Sequence, residues 1–233
     1  GRHELRTAAL AIAAAASVLL SAAPDKALAD RPMAIDEAGV LERGETKLDI
    51  GVERIDDARG PFAALAHGLV AGLEAELQLQ RMRDRGTVPA DAIDVAGVAL
   101  KWVPLSSEQG LSAGVKAGYA EEHGERNGES RLHTLELLLH WETRSGLRAI
   151  ANLGRASLHS AGSRETFGTW GFGFDVPVGR AFHLTVESFG AEGSGPDRQL
   201  GLRYRLAPNL ALWLAGGRGN DANFASLGIT CVF

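Results

Sequence analysis

Residues 169–178 read TWGFGFDVPV, and this stretch contains the pattern that decides the fold. Apolar side chains occupy every second position and small or polar ones lie between them, in the order Thr169, Trp170, Gly171, Phe172, Gly173, Phe174, Asp175 and Val176. Successive side chains of a β-strand point to opposite faces, so a period of two predicts a strand with one apolar face. A helix would repeat its apolar residues every three to four positions.

The same alternation runs through most of the chain and predicts about twelve strands. The segment at 61–68 is the weakest of them, because it is almost entirely apolar. Repeated segments of about ten alternating residues, separated by turns, are typical of a transmembrane barrel. The predicted strands cover 44–56, 61–68, 73–84, 94–105, 111–122, 131–143, 147–159, 166–178, 181–193, 198–207, 210–218 and 222–233.

The connections and the aromatic residues favour a barrel over a soluble β-sandwich, whose strands would alternate as well. Short turns are expected after the even strands and longer polar loops, such as 85–93 and 123–130, after the odd ones, as in outer-membrane barrels. Aromatic residues near strand ends fit an interfacial girdle: Trp102, Tyr119, Trp141 and Tyr204. The sequence therefore predicts an all-β, up-and-down antiparallel transmembrane barrel over residues 44–233.

The N-terminus has the features of an export signal. Arg2 and Arg6 precede an apolar run at 7–20, and Ala27 and Ala29 form a small-x-small cleavage site. This combination predicts a cleaved signal peptide at 1–29 and a Sec-type route to the outer membrane. Residues 30–43 are then expected to form a periplasmic N-terminal segment, because an even number of strands leaves both termini in the periplasm. Whether this segment plugs the lumen or hangs in the periplasm stays open at this point.

Composition narrows the partners and cofactors. The net charge of −5 argues against a nucleic-acid partner, which would require a basic face. Cys231 is the single cysteine, which excludes an internal disulfide and a cysteine-based metal cluster. We expect no cofactor and no metal. The expected partners are the lipid bilayer, a small-molecule solute and the barrel-assembly machinery, for which the terminal Phe233 of an alternating strand resembles the assembly signal.

Several stretches resemble the outer-membrane proteins of the MetA-pathway-of-phenol-degradation (transporter) family. They are DEAGVLERGETKLDIGVE at 36–53, HGLVAGLEAELQLQ at 67–80, VPLSSEQGLSAGV at 103–115, HLTVESFG at 183–190 and SLGITCVF at 226–233. The resemblance implies a barrel that passes small molecules. It carries no pore residue over to this chain.

Charged residues on the predicted inward faces are the candidate site. Rings of opposite sign could select a solute in an open pore, or they could pair across a narrow interior and fill it. Both alternatives remain open, because a barrel of about twelve strands is intermediate in width. The candidate lumen-lining residues are Asp49, Glu74, Glu76, Lys101, Lys116, Glu136, His140, Arg148, Glu187, Arg203 and Arg205.

A lipid hydrolase with its active site at the outer rim is the less favoured alternative. It would need a nucleophile and a base within hydrogen-bond reach, yet adjacent His159 and Ser160 point to opposite faces of a strand. No nucleophile motif of the GxSxG type surrounds the other rim candidates, His123, Ser130 and Ser163. We therefore expect no enzyme activity and assign no catalytic residue.

Two smaller patterns have structural interpretations. His140 and Glu142 share an inward face, where a salt bridge is favoured over a cation site. The strand glycines at 168, 171, 173 and 201 are expected to allow bends or close packing rather than to bind phosphate.

The predicted function is passive uptake of small solutes, including hydrophobic or aromatic compounds, through a monomeric channel. Changing Arg203 and Arg205 to Glu is expected to shift ion preference toward cations. The alternative is an occluded barrel with a structural or surface-binding role, in which loops 85–93 and 123–130 would contact partners.

Overall fold

The computed structural model describes residues 32–125, 128–219 and 222–233, which form a closed barrel of twelve antiparallel strands. Each strand pairs with its neighbours in the chain, and β1 pairs with β12. No helix in these ranges is both long and apolar enough to cross a membrane. The strands are β1 (Thr46–Ile55), β2 (Ala58–Val70), β3 (Leu73–Asp84), β4 (Asp91–Leu105), β5 (Gly110–Gly124), β6 (Gly128–Glu142), β7 (Arg148–Ser160), β8 (Ser163–Val178), β9 (Phe182–Ala191), β10 (Asp197–Ala207), β11 (Leu210–Arg218) and β12 (Asn223–Val232).

The seam between the first and last strands closes the barrel. The amide of Thr46 donates to the carbonyl of Phe233, and the amide of Phe233 donates back to the carbonyl of Thr46. We call the end that carries this pair the terminal end, and the opposite end the distal end. The predicted signal peptide at 1–29 lies outside the described residues.

The strand prediction is confirmed, including the weakest segment. That segment belongs to β2, which extends to Ala58–Val70. It lacks a polar inward face because the small residues Ala64 and Ala66 and the buried Phe62 face the interior. Both faces of β2 are therefore apolar over this stretch, which hides the alternation.

The prediction of long loops at the distal end is wrong in part. At 123–130 the strands β5 and β6 continue to Gly124 and from Gly128, and at 160–165 only Ala161 and Gly162 separate β7 from β8. A turn of two residues with positive φ, 46° at Ala161 and 80° at Gly162, suits the twist of a hairpin. Many residues predicted to form loops at this end therefore belong to longer strands, although 85–90 remains a loop.

The outward face is an apolar band. Side chains such as Leu135 (61% exposed) and Leu153 (60%) project from it, and no described residue of the chain covers them. Trp102, Trp141 and Tyr204 lie on this face near the terminal end. Such a band flanked by aromatic residues is the surface that a lipid bilayer covers.

Candidate functional site in the barrel lumen

Residues 32–41 occupy the interior of the barrel, and we call them the lumen segment. All of them are buried except Val40, which is half-buried. The segment lies against wall residues of the terminal half of the lumen. Of the stretch 30–43, for which a plug in the lumen and a periplasmic location were both left open, the structure places residues 32–41 inside the lumen.

Wall side chains hold the backbone of the lumen segment by hydrogen bonds. Glu187 accepts from the amides of Ala34 and Ile35 at 2.7 and 2.9 Å. Asn152 accepts from the amide of Asp36 at 2.7 Å and donates to the carbonyl of the same residue at 2.8 Å. Buried backbone amides and carbonyls need hydrogen-bond partners, and here the wall supplies them.

Wall side chains also form hydrogen bonds with the backbone at both ends of the segment. The Gln199 side chain donates to the carbonyl of Pro32 at 2.7 Å. Glu74 accepts from the amide of Leu41 at 2.8 Å.

Asp36 neutralises two wall lysines at the centre of the lumen. Its carboxylate oxygens lie 3.2 Å from Nζ of Lys101 and 3.0 Å from Nζ of Lys116. Glu76 contacts Lys116 at 2.6 Å, and Glu74 lies 3.8 Å from Lys101. A buried charge is tolerated when it is paired, so these five side chains form one mutually dependent cluster.

Glu37 joins a second ionic cluster around Arg148. Its carboxylate accepts from Nη1 of Arg148 at 2.7 Å, and Glu142 accepts from Nε of the same guanidinium at 2.9 Å. Asp175 lies beyond Arg148 and binds Arg203 at 2.7 Å. The segment thus contributes one carboxylate to each of the two clusters.

Glycines in the wall leave space for the segment. A Cβ atom added at Gly171 would lie 2.4 Å from Cγ2 of Ile35, and one added at Gly201 would lie 2.3 Å from Cγ of Pro32. Both are far closer than real Cβ contacts. The close packing that the sequence predicts for these two glycines is packing against the lumen segment.

Apolar contacts complete the fit. Met33 and Ile35 pack on Ile150, while Ala38 packs on Val103 and Leu138. A cavity of about 10 Å³ is lined by wall residues that include Lys47 and Gln78. Its volume suffices for about one water molecule.

The distal half of the lumen has a different lining. One apolar cluster spans β5 to β8 and another spans β1 to β4. They contain Ala120, Leu132, Ala156, Leu158 and Phe167 in the first, and Ile55, Ala58, Met82, Ile93 and Val95 in the second. A molecule that entered from the distal end would meet these apolar clusters and the inward carboxylates of Asp91 and Glu122 before it reached the two ionic clusters.

The sequence-predicted site residues all face the interior. The structure brings Glu74, Glu76, Lys101 and Lys116 together around Asp36, and Arg148 and Arg203 together around Asp175. The others make different contacts: Asp49 beside Thr230, Glu136 opposite Lys116, His140 at 4.0 Å from Glu142, Glu187 on the segment backbone, and Arg205 donating to the carbonyl of Arg180.

Sequence reasoning missed the residues that belong to the segment and its polar anchors. Asp36 and Glu37 are adjacent acids in an otherwise small and apolar stretch, which is the one signal that the sequence offers. Asn152 and Gln199 lie on the inward face of their strands, but an amide side chain in the sequence does not reveal its partner.

The rim candidates are dispersed. His159 faces outward and its ring packs edge-on against His133 with centroids 5.6 Å apart. Ser130 and Ser160, which are cross-strand partners, face inward. The adjacent His159 and Ser160 point to opposite faces, as the alternation predicts.

A family model described as "Uncharacterised conserved protein UCP029691" matches residues 15–233. The chain belongs to this family. No curated protein matches it. The matching family is not the phenol-degradation family whose resemblance the sequence suggested, so membership of the latter remains a prediction. The barrel that it implied is present.

Solved porins share the fold of this UCP029691 chain. The KdgM porin in complex with disordered oligogalacturonate aligns with a TM-score of 0.63 at 12% identity, over 80% of this chain and 99% of the porin. A further KdgM porin structure aligns with a TM-score of 0.62 at 13% identity, with the same coverage. The NanC porin aligns with a TM-score of 0.57 at 13% identity, over 79% and 98%. At these identities the likeness shows the fold, which is that of outer-membrane barrels.

Proposed function

We propose that the barrel is an outer-membrane channel for small solutes and that its own lumen segment closes it. The observation that carries the proposal is that a peptide, rather than wall side chains, fills the terminal half of the lumen. Gly171 and Gly201 make room for that peptide. The wall therefore leaves space for a peptide in the terminal half of the lumen.

The bound segment also suggests the chemistry of the solute. Lys101, Lys116 and Arg148 hold the carboxylates of Asp36 and Glu37. These cations would face the passage after the segment left. A solute carboxylate could take the place of the segment carboxylates, since both are anionic acceptors for the same donors.

The apolar distal lining adds a second requirement. Leu132, Leu158 and Phe167 would contact the non-polar body of a solute before its charged group reached the lysines. We propose small amphipathic acids, which have an apolar body and one carboxylate, as the solute class. The bound oligogalacturonate of the KdgM structure, whose sugar units carry carboxylates, is consistent with anion passage through this fold.

Single-channel conductance of the refolded chain from Asp30 onward, compared with its Asp36→Lys variant, tests the proposal. The new lysine would face Lys101 and Lys116, so the closed state should be destabilised. Breaking a buried ion pair costs about 3–5 kcal/mol. Even after relaxation we expect the open fraction to rise by at least about tenfold, with discrete conductance steps.

Glu42→Lys is the matched control, because Glu42 is exposed and next to the segment but outside the lumen. It makes the same charge change and should leave the open fraction near that of the unmodified protein. A folded Asp36→Lys variant that stays silent, together with a silent variant lacking 32–41, would overturn the channel proposal.

The second candidate is a permanently occluded barrel with a structural role. The density of the two ionic clusters favours it, because each carboxylate of the segment is held by at least one buried cation. Silence of the variant lacking 32–41 is the result that would select this alternative.

A further inference from the structure

Arginines are aligned in a row on the outward face of the distal end. Arg54 of β1 is the direct cross-strand partner of Arg59 of β2, and Arg59 is the direct partner of Arg83 of β3. All three side chains are exposed. We call these residues the first arginine row.

A second row lies on the strands β10 and β11. Arg198 is the direct partner of Arg218, and both are exposed. No described carboxylate forms an ion pair with Arg59, Arg83, Arg198 or Arg218. Other distal arginines differ in this respect, since Arg81 pairs with Asp94 and Arg131 pairs with Glu121 and Glu129.

Like charges placed directly opposite each other on a sheet are destabilising, because their Cβ atoms are only about 4.5–5.5 Å apart. The lumen of this protein shows how such a pair is neutralised. Lys101 and Lys116 are also direct cross-strand partners, and the carboxylate of Asp36 lies between them. The arginine rows have the same arrangement of cations, but among the described residues no carboxylate forms an ion pair with Arg59, Arg83, Arg198 or Arg218.

The position of the rows indicates where an anion would come from. Arg54 follows Val52 on the outward face, and Arg198 precedes Leu200, which is 58% exposed. Both rows thus lie directly beyond the apolar band, at the level where lipid headgroups meet the hydrocarbon. The outward face of the terminal end carries aromatic residues instead, including Trp102 and Trp141.

We propose that the two arginine rows bind the phosphate groups of anionic lipids in the leaflet at the distal end of the barrel. Guanidinium groups bind phosphate oxygens in bidentate geometry, and one phosphate can neutralise two neighbouring arginines. Juxtamembrane basic residues also attract anionic headgroups. The proposal rests on the membrane location in the proposed function, but not on the channel being open.

The test uses the full barrel in zwitterionic detergent and diphosphorylated lipid A as the probe. Thermal unfolding is followed by the gel shift of the folded barrel, and lipid binding is followed by native mass spectrometry. The probe should raise the unfolding temperature of the unmodified protein. Arg59→Gln/Arg83→Gln should bind it about tenfold more weakly, because charge-assisted contacts to phosphate are lost.

Arg144→Gln/Arg180→Gln is the matched control, since it removes the same charge from exposed turns at the terminal end. It should keep the affinity of the unmodified protein. Dephosphorylated lipid A and inorganic phosphate serve as further probes, and neither should reproduce the shift. Equal binding by both double variants, or equal binding of the dephosphorylated lipid, would overturn the proposal. Conductance measured on the same samples reports separately on the channel.

Discussion

Leu138 interrupts the polar inward face of β6, and its contacts explain why. It is fully buried against Ala38 of the lumen segment and Val103 of the neighbouring wall. The alternation in β6 places Leu138 on the inward face, so an apolar residue at a position expected to be polar is visible in the sequence. Its partner is not, because Ala38 is distant in the chain and nothing near Leu138 specifies it.

A substitution at Gly171 tests the packing of the segment at single-residue resolution. In Gly171→Leu the new side chain would occupy the volume of Ile35, so the segment should leave the wall. We expect faster proteolysis within 32–41 and a larger open fraction, while the barrel itself stays folded.

Gly216→Leu provides the comparison, because a Cβ atom there meets nothing within 4 Å. It should behave like the unmodified protein. Combining Gly171→Leu with Ile35→Ala should restore protection, and failure to do so would argue against direct packing of these two residues.

The lumen segment shows the limit of prediction at the scale of elements. The strands can be predicted from their period of two. Residues 32–41 have no such period, and they form hydrogen bonds with side chains of several strands. The hydrogen-bond partners of the segment lie on strands that come together only in the closed barrel. Asp36 and Glu37 were visible, but Lys101 and Arg148 become their partners only in three dimensions.

Tethering the segment tests whether its movement opens the passage. We expect Ala38→Cys/Leu138→Cys to react with a short thiol-to-thiol cross-linker, since the two residues share one buried cluster. Cys231 is replaced by Ser to avoid side reactions. When the pair is added to the Asp36→Lys variant, cross-linking should abolish the conductance steps, and cleaving the linker should bring them back.

The control must separate the effect of the cross-link from the effect of modifying a single cysteine. Leu138→Cys alone, treated with the same reagent, is the control and should keep conducting. Persistent steps in the cross-linked double cysteine variant would show that solutes pass without movement of the segment.

At the scale of the whole molecule, the sequence predicted the strand number, the antiparallel order and the face of each candidate lumen residue. These properties follow from alternation and turn spacing, which are local. The state of the lumen did not follow, because the same inward charges suit an open pore or a filled one. The structure shows that wall and segment share those charges, as with Arg148 between Glu37 and Glu142.

Charge selectivity of the whole passage remains a prediction that the open variant can test. Arg203 is buried beside Asp175, and Arg205 is half-buried near the terminal end. Changing both to Glu in the Asp36→Lys background makes the wall more negative, so reversal potentials in a salt gradient should move toward the cation value. Arg144→Glu/Arg180→Glu should move them far less, and identical potentials in the two variants would contradict the assignment.

The two ends of the outward face differ in how easily they cross hydrocarbon. Arginine on the lipid face costs about 2–4 kcal/mol at the bilayer midplane. The distal end carries Arg59, Arg83, Arg198 and Arg218 on that face, whereas the aromatic terminal end belongs at an interface. The predicted periplasmic location of the termini would require the distal end to traverse the membrane during insertion, and we then expect a high kinetic barrier to spontaneous insertion. Catalysis of that step by the assembly machinery would then be a requirement set by the arginine rows.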